Sequence, residues 1–319
     1  MSLLSRFRRS PPPAPSPDHA RPPALADVMR QVRRIDLRTR GLVASQFSGE
    51  YHSVFKGQGI EFVEVREYVP GDDVRTIDWN VSARTGTTYV KKYVEERELT
   101  VLLAVDLSGS QRFGTRGRFK SEMVAEVAAT LAMSAIRNND RVGLMVFTDR
   151  VEAFVPPRKG RRHVLRIIRD LLVFRPTGQG TDLAAALRHA VRVMRSRSIV
   201  FLISDFQLSE ARARFETAIS LAAARHDVVP VVLGDPADGT IPDVGVLRMR
   251  DPETGDLVWV DTGREDVRKR FAADVRDERA ALTRTFRRLG VEPIELRTDA
   301  PVSTAVLSFF RRRERRLRR

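Results

Sequence analysis

The sequence contains no cysteine, and two other residue types that often carry chemistry are scarce. Without cysteine there is no disulfide framework, no thiol nucleophile and no cysteine-ligated metal, which fits a protein of a reducing compartment. The five histidines are scattered and form no close metal-ligand pair, so the sequence argues against a zinc site. Only six of the 56 basic residues are lysine, so the other fifty are arginine.

Long apolar runs are missing as well. The longest runs, among them residues 228–233, have the length of a strand and fall far short of the roughly 20 residues that cross a bilayer. The first nine residues lack the apolar region and the cleavage site of a signal peptide. We therefore expect a soluble, cytoplasmic protein.

The net charge of +15 has two explanations. One is GC-biased coding, which places arginine where lysine would serve on a solvated surface. The other is an anionic partner: nucleic acid, a membrane surface or an acidic protein. The arginine-rich end, residues 311–319, is accordingly either a solvated terminus or an attachment to anionic lipid or nucleic acid. Few aromatic residues interleave with this charge, which argues against an RNA binder that stacks bases.

The residue pattern divides the chain into four parts. Residues 1–40 form a flexible Pro-rich leader and a short helix at 25–40. Residues 41–97 have the turn signals and β-branched residues of a small β-rich N-terminal subdomain, with strands near 60–68 and 87–94. Strands and helices alternate over residues 98–298, and residues 299–319 form a C-terminal helix with an Arg-rich tail.

The alternating region has the pattern of an α/β fold. Continuous apolar runs predict buried strands at 99–105, 141–147, 198–204 and 227–233. Apolar stripes predict helices at 119–137, 162–173, 182–195, 209–225 and 264–289. A hairpin at 247–261 and a last strand near 291–296 complete the region. We therefore expect a doubly wound, mostly parallel sheet with helices on both faces.

Five oxygen-bearing side chains are expected at one edge of this sheet. Asp106, Ser108 and Ser110 directly follow the first buried strand, Thr181 opens a helix after a Gly-rich turn, and Asp205 ends a later strand. Ligands of open α/β sheets bind beyond the carboxyl ends of the strands. Hard oxygen donors suit Mg²⁺ or Mn²⁺. The alternative is that these residues only cap helices and close turns, positions that Asp and Ser favour.

This arrangement resembles the metal-ion-dependent adhesion site (MIDAS) of von Willebrand factor A domains. The resemblance implies that Ser108, Ser110 and Thr181 bind the metal, and that Asp106 and Asp205 bind it directly or through waters. It also implies that a carboxylate of a partner protein fills an open coordination position, and that residues 98–298 adopt a von Willebrand factor A-like fold.

Residues 50–98 resemble the signature of the bacterial DUF58 family. The matching residues are Gly57, Gly59, Phe62, Arg66, Tyr68, Pro70, Gly71, Asp72, Asp73, Arg75, Ile77, Asp78, Trp79, Ala83, Arg84 and Glu98. The resemblance implies an adaptor or chaperone-like component in protein maturation, which works with a MoxR-type AAA+ ATPase or with its client protein. One departure is Gln111, at a position where the resemblance leads us to expect Met.

The charged and aromatic residues of the signature have two interpretations. Ion pairs between its arginines and aspartates would lock a small subdomain onto the sheet, or the same residues form a recognition surface beside the metal. The residues concerned are Arg66, Tyr68, Asp72, Asp73, Arg75, Asp78, Trp79 and Arg84.

Catalytic motifs are weak in this sequence. Residues 114–121 lack the Gly before Lys120 that a phosphate-binding loop requires, and Ser108 does not lie in a Gly-x-Ser-x-Gly elbow. A metal-dependent hydrolase remains an alternative, but the metal-shell carboxylates are the only candidate general bases. We expect a binding protein and not an enzyme.

Overall fold

The computed structural model describes residues 25–42, 50–51, 54–55, 61–94, 98–109, 120–178, 180–208, 212–250 and 257–317 of the chain. The expected leader before residue 25 and the expected hairpin turn near 252–255 lie outside these ranges.

The strands are β1 (Glu61–Glu67), β2 (Tyr89–Val94), β3 (Thr100–Asp106), β4 (Arg141–Phe147), β5 (Val151–Arg158), β6 (Ile199–Ser204), β7 (Asp227–Gly234), β8 (Val246–Arg250), β9 (Leu257–Asp261) and β10 (Ile294–Arg297).

The helices are α1 (Leu25–Leu42), α2 (Trp79–Thr85), α3 (Lys120–Arg137), α4 (Arg161–Val173), α5 (Leu183–Val193), α6 (Arg212–Arg225), α7 (Glu265–Arg288) and α8 (Val302–Leu317). Each of these described helices is too short or too polar to cross a membrane.

The central sheet has six strands in the order β10-β7-β6-β3-β4-β5. Neighbouring strands are parallel from β10 to β4, and β5 pairs antiparallel with β4. The prediction of an α/β fold built on a mostly parallel sheet is confirmed.

Helices cover both faces of the sheet because successive side chains of a strand point to opposite sides. Along β3, Val101, Leu103 and Val105 pack into a core that contains residues of α1, α3, α4 and α8. Leu102 and Ala104 of the same strand pack into a second core that contains residues of α5, α6 and α7. Every residue of β3 after Thr100 is buried, which explains its continuous apolar sequence.

The antiparallel edge strand β5 was not expected from the sequence. Its residues include Pro156 and Pro157, which lack the N–H group that a ladder requires. Prolines in strands are confined to edges and bulges, and the pairing of β4 with β5 shifts register between Val142 and Leu144. The strand tolerates two prolines because it lies at the edge.

The small N-terminal unit consists of the antiparallel pair β1–β2 with a short helix, α2, between the strands. The strands occur where the sequence predicts them, but the helix was missed. Asp78 caps it, because its Oδ1 accepts the N–H groups of Asn80 at 3.1 Å and Val81 at 3.2 Å. Gly86, with φ of 76°, ends the helix in the left-handed conformation that glycine favours.

The C-terminal helix α8 packs into the core instead of extending into solvent. Phe309 and Phe310 are fully buried, and Phe310 meets the rings of Tyr51 and Phe55 edge to face at 5.9 Å each. The guanidinium of Arg313 lies 4.8 Å from the centroid of the Phe55 ring. The basic helix α8 is therefore held against Tyr51 and Phe55 by contacts that extend as far as Arg313.

Candidate metal site

Asp106 is the last residue of β3 and is fully buried at the carboxyl edge of the sheet. Its Oδ1 accepts a hydrogen bond from the backbone N–H of Ser108 at 2.9 Å. Its Oδ2 accepts a hydrogen bond from the hydroxyl of Ser204, the last residue of β6, at 2.7 Å. These two bonds fix the carboxyl group between the ends of two neighbouring strands.

The electrostatics at this edge favour a cation. Burial, and after it the negative charge of Asp205, raise the pKa of Asp106 from 3.8 to about 7, although hydrogen bonds from Ser204 and Ser108 act in the opposite direction. Asp106 and Asp205 therefore repel each other across a buried space. A positive charge between two such carboxylates would relieve that repulsion.

A buried lysine lies on the other side of Asp205. The Nζ of Lys120, the first residue of α3, is 3.4 Å from Oδ2 of Asp205 and 3.2 Å from Oδ1 of Asp238. The lysine side chain is 1% exposed. Burial lowers the pKa of Lys120, but the charges of Asp205 and Asp238 raise it by more, so the side chain remains an ammonium ion.

Asp238 connects this ion pair to the next strand and to α7. It lies in the helical turn Pro236–Gly239 that follows β7, and its Oδ2 accepts the backbone N–H of Asp235 at 2.7 Å. The guanidinium of Arg279, on α7, lies 3.5 Å from the same oxygen. The sequence patterns gave no indication of Asp238, and Lys120 was considered only as part of a weak phosphate-loop motif.

The segment that carries Thr181 is held beside the Asp106 loop by backbone hydrogen bonds to the end of β4. The N–H of Leu107 donates to the carbonyl of Phe147 at 3.0 Å, and the N–H of Asp182 donates to the carbonyl of Thr148 at 2.9 Å. Thr181 is half-buried at this position. Asp182 caps α5, since its Oδ1 accepts the N–H of Ala185 at 2.8 Å.

Glu152, on β5, anchors the Gly-rich turn that precedes Thr181. Its carboxylate accepts the backbone N–H of Gly178 at 2.6 Å, the hydroxyl of Thr177 at 2.9 Å and the hydroxyl of Thr148 at 2.9 Å. A Cβ at position 178 would overlap with side-chain oxygens of Thr148 and Asp149, so this turn favours glycine. No sequence pattern indicates this role of Glu152, because the two prolines of β5 hide the strand that carries it.

The donor set suits a hard cation. Within the described ranges there is no group of three or more His, Cys, Asp or Glu side chains placed to hold a metal. A metal at this edge would depend on two carboxylates, Asp106 and Asp205, and on hydroxyl oxygens from Ser108 and Thr181. Oxygen donors of this kind fit Mg²⁺ or Mn²⁺. Ser110, the fifth expected ligand, lies outside the described residues.

The signature residues form a compact turn and a short helix. Arg66 pairs with Asp72 through two hydrogen bonds of 2.9 and 2.6 Å, and that carboxylate also accepts the N–H of Val69 at 2.9 Å. The hydrogen bond from Arg66 and the one from Val69 hold the pKa of Asp72 below its usual value. Asp73 accepts the backbone N–H of Arg75 at 2.9 Å. The aspartates thus shape the backbone of this unit.

Three apolar side chains of the same segment point into solvent. Trp79 is 70% exposed, Val74 is 63% exposed and Val69 is 56% exposed. Arg75 and Arg84 are exposed beside them in sequence, and Tyr68 is half-buried. These residues lie on one segment of the chain, residues 69–79, and exposed large apolar residues that form a patch mark interaction surfaces. We call Val69, Val74 and Trp79 the signature surface.

Comparisons with known proteins place these features in a wider group. The sequence profile of the family described as "Protein of unknown function DUF58" matches residues 64–281. An uncharacterized protein of Mycobacterium tuberculosis is 32% identical over 295 residues, which cover 92% of this chain and 91% of that protein. A Paracoccus denitrificans protein described as "Uncharacterized protein in moxR 3'region" is 40% identical over 105 residues, which cover 32% of this chain and 94% of that protein.

Among solved structures, BatB from Bacteroides thetaiotaomicron is similar at 19% sequence identity with a TM-score of 0.44. The similarity covers 68% of this chain and 99% of that chain.

Proposed function

The chain belongs to the DUF58 family, and from that premise we propose that it is a metal-dependent protein-interaction module with a von Willebrand factor A-like site for Mg²⁺ or Mn²⁺. The observation that carries this proposal is the pair of carboxylates at the carboxyl edge of the sheet. Asp106 is fully buried there, and its pKa is raised by this burial and, after it, by the negative charge of Asp205. A buried pair of like charges is unfavourable unless a cation or a proton neutralises it.

The residues of the site have separate tasks in this proposal. Ser108, Ser110 and Thr181 supply hydroxyl ligands, and Asp106 and Asp205 complete the coordination shell directly or through waters. A metal held by these residues would attract a carboxylate of a partner protein as a further ligand. The hydroxyl of Ser204 donates a 2.7 Å hydrogen bond to Asp106 and so holds that carboxyl group in one orientation.

The partner that we propose is a MoxR-type AAA+ ATPase or its client protein. The name of the Paracoccus denitrificans relative places that protein in a moxR 3' region, which supports a link between this family and such an ATPase. The exposed signature surface supports the same class of function, because a partner protein can bury exposed apolar side chains when it binds.

We propose binding and not turnover as the action of this site. A buried carboxyl with a pKa of about 7 would suit a general base, and this is the feature that favours the alternative of a metal-dependent hydrolase. Both oxygens of Asp106 already accept hydrogen bonds, from Ser108 and Ser204, and this arrangement suits a structural support of a metal shell. Incubation with phosphoester and peptide substrates in Mg²⁺ or Mn²⁺ should give no turnover.

A pull-down tests the proposed function. The full chain should retain a MoxR-type ATPase from the same organism in Mg²⁺, and EDTA should lower the recovery by about tenfold or more. Asp205→Asn and Ser108→Ala should lower the recovery in Mg²⁺ to a similar extent, since each removes a proposed metal-shell group.

Asp277→Asn is the matched control. It removes the same charge as Asp205→Asn from an exposed position on α7 and should leave the recovery unchanged. Equal recovery with and without EDTA, together with unchanged binding by Asp205→Asn, would exclude the metal from the interaction.

A further inference from the structure

Lys120 is a buried positive charge that touches a proposed metal-shell residue. Its side chain is 1% exposed, and its ammonium lies between Asp205 and Asp238, at 3.4 and 3.2 Å. Lysine is almost never fully buried unless it is paired, because its desolvation is unfavourable. Both partners are themselves shielded from solvent, with side chains 4% and 16% exposed. Lys120 is therefore built into this edge of the sheet.

The charges around the site almost cancel. Three carboxylates, those of Asp106, Asp205 and Asp238, face two cations, Lys120 and Arg279. With all five groups ionised, the set has one more negative than positive charge. A divalent cation would reverse the sign and leave one positive charge in excess, which a single incoming carboxylate would neutralise.

We propose that Lys120 is the built-in counter-ion of the metal site: it lowers the intrinsic affinity for the metal and makes the metal-loaded site select an acidic ligand. The inference rests on the proposed function, because it assumes that Asp205 belongs to the metal shell. Lys120 is a positioning residue, since it acts on metal and ligand through Asp205 and through its charge.

Two effects of removing Lys120 oppose each other, and their magnitudes decide the outcome. Asp205 loses one partner, but Nε2 of Gln207 still donates to its Oδ2 at 3.3 Å and holds the carboxylate. The divalent cation is no longer repelled by the positive charge of Lys120, from which only the carboxylate of Asp205 separates it. The site is shielded from solvent, so Coulomb interactions there are several times stronger than in water. The loss of repulsion therefore dominates, and the metal should bind more tightly.

The experiment measures Mn²⁺ binding to the full chain by electron paramagnetic resonance, with Mg²⁺ as a competitor. Lys120→Met should bind Mn²⁺ about tenfold more tightly than the wild type. Asp238→Asn should bind it more weakly, because the ammonium then pairs with Asp205 alone and the site loses a negative charge. Lys120→Arg keeps the charge and should stay close to the wild type.

A second measurement follows the acidic ligand. A short glutamate peptide is titrated into the Mn²⁺-saturated protein at low salt, where the excess charge of the loaded site should attract it. Lys120→Met should bind the peptide more weakly than the wild type, even though it binds the metal more tightly. Lys269→Met, which removes a lysine that is 75% exposed on α7, is the control for overall charge and should change neither measurement.

The outcomes separate this inference from the proposed function. If Asp205→Asn and Ser108→Ala bind Mn²⁺ as the wild type does, the proposed metal site is wrong and the role of Lys120 falls with it. If those variants lose Mn²⁺ but Lys120→Met binds it no more tightly, or binds the peptide no more weakly, the metal site stands and the counter-ion inference is overturned. Should Lys120→Met not fold, the weaker Mn²⁺ binding expected for Asp238→Asn, beside the near-wild-type binding expected for Lys120→Arg, decides in the same way.

Discussion

His226 is a buried histidine at the end of α6 whose ring cannot take up a proton without cost. His226 is 2% exposed, and neither ring nitrogen has a hydrogen-bond partner among the described residues. Burial lowers the pKa of His226, and the positive charges of Arg225 and Arg197 lower it further. The folded protein therefore holds this ring neutral at pH values where the unfolded chain protonates it.

This histidine makes the stability of the protein depend on pH. A histidine with a lowered pKa stabilises the fold above its unfolded pKa of about 6.5, and that contribution is lost as the pH falls below this value. The raised pKa of Asp106 acts in the opposite sense, because the folded protein takes up that proton as the pH falls below about 7. The contribution of His226 is therefore measured as a difference. Between pH 7.5 and pH 5.5, the free energy of unfolding of the wild type in urea should fall relative to that of His226→Leu, which cannot be protonated at this position.

His189 serves as the comparison, because it is a half-buried histidine on α5 whose pKa is lowered by burial and then by the charge of Arg192. Its side chain is less buried than that of His226, so His189→Leu should alter the pH dependence less than His226→Leu does. An equal dependence in the wild type and in His226→Leu would show that other groups cause it.

The turn before α5 illustrates how one element positions another. Glu152 on the edge strand β5 accepts hydrogen bonds from Thr177 and Gly178, and Thr148 at the end of β4 accepts the N–H of Asp182. The half-buried Thr181 lies between these attachment points. The edge strand therefore supports the loop that carries a proposed metal ligand.

A methyl group at position 178 tests this support. Gly178→Ala places a Cβ where side-chain oxygens of Thr148 and Asp149 already lie, so these side chains or the turn must move. We expect a loss of about 1–3 kcal/mol in the free energy of unfolding, as for other overpacked sites, and weaker Mn²⁺ binding because Thr181 moves with the turn.

Gly234→Ala is the control, since its Cβ would meet its nearest neighbour, the carbonyl oxygen of Leu296, at an ordinary 3.5 Å. It should leave Mn²⁺ binding unchanged. Wild-type Mn²⁺ affinity in Gly178→Ala would show that the position of this turn does not matter for the site.

Elements with a continuous apolar pattern could be predicted from the sequence. The strands β3, β4, β6 and β7 and the helix α3 occur within a residue or two of the predicted ranges, because burial on both sides leaves no room for polar residues. The strand β5 could not be predicted in this way, since Pro156 and Pro157 contradict the usual pattern of a strand. The helix α2 had an indication that was overlooked, an Asp at its N-cap and a Gly after its last residue.

The candidate site was only partly accessible from the sequence. Asp106 and Asp205 could be placed at one sheet edge because each ends a recognisable strand. The contacts of Lys120 with Asp238 and of Glu152 with Gly178 connect residues that are far apart in the chain. Such pairs depend on the tertiary structure and follow no periodic pattern that a single sequence displays.

At the scale of the whole molecule, Trp79 of the signature surface is the most exposed large apolar side chain within the part of the chain that the structure describes. Trp79 is 70% exposed, so its substitution by alanine removes little buried contact. We expect Trp79→Ala to keep the thermal midpoint of the wild type and to lower the recovery of the proposed ATPase partner by about tenfold or more, as for an interface hot spot.

Trp259 provides the matched substitution, because it is 38% exposed on β9 and lies 5.9 Å from the guanidinium of Arg248. Trp259→Ala should leave the recovery of the ATPase unchanged. A normal recovery with Trp79→Ala would mean that the signature surface is not the contact.

Arg313 connects distant parts of the chain. It forms an ion pair with Asp227 of β7 and lies over the ring of Phe55, 4.8 Å from its centroid. Two other arginines of the tail pair with glutamates, Arg311 with Glu50 at 3.0 Å and Arg312 with Glu292 at 2.9 Å. Three of the five arginines in residues 311–317 are thereby paired with carboxylates within the protein.

Substitutions in this tail should show which of its arginines stabilise the fold. Arg313→Ala should lower the free energy of unfolding by about 1–2 kcal/mol, because it removes a partly buried ion pair and a cation–π contact. Arg315→Ala, at an exposed position on the same helix, should leave it unchanged. Equal stability of the two variants would show that the contacts of Arg313 contribute nothing to the fold.

The two adjacent prolines of β5 also affect what can happen at the rim of the central sheet. Pro156 and Pro157 lie at the register shift opposite Gly143, and neither offers an N–H group to a strand on either side. An incoming strand from another molecule would meet a gap in the hydrogen-bond ladder at that point. The sheet is thus protected there from growing into fibres, a hazard that an unpaired flank of regular β-structure would otherwise present.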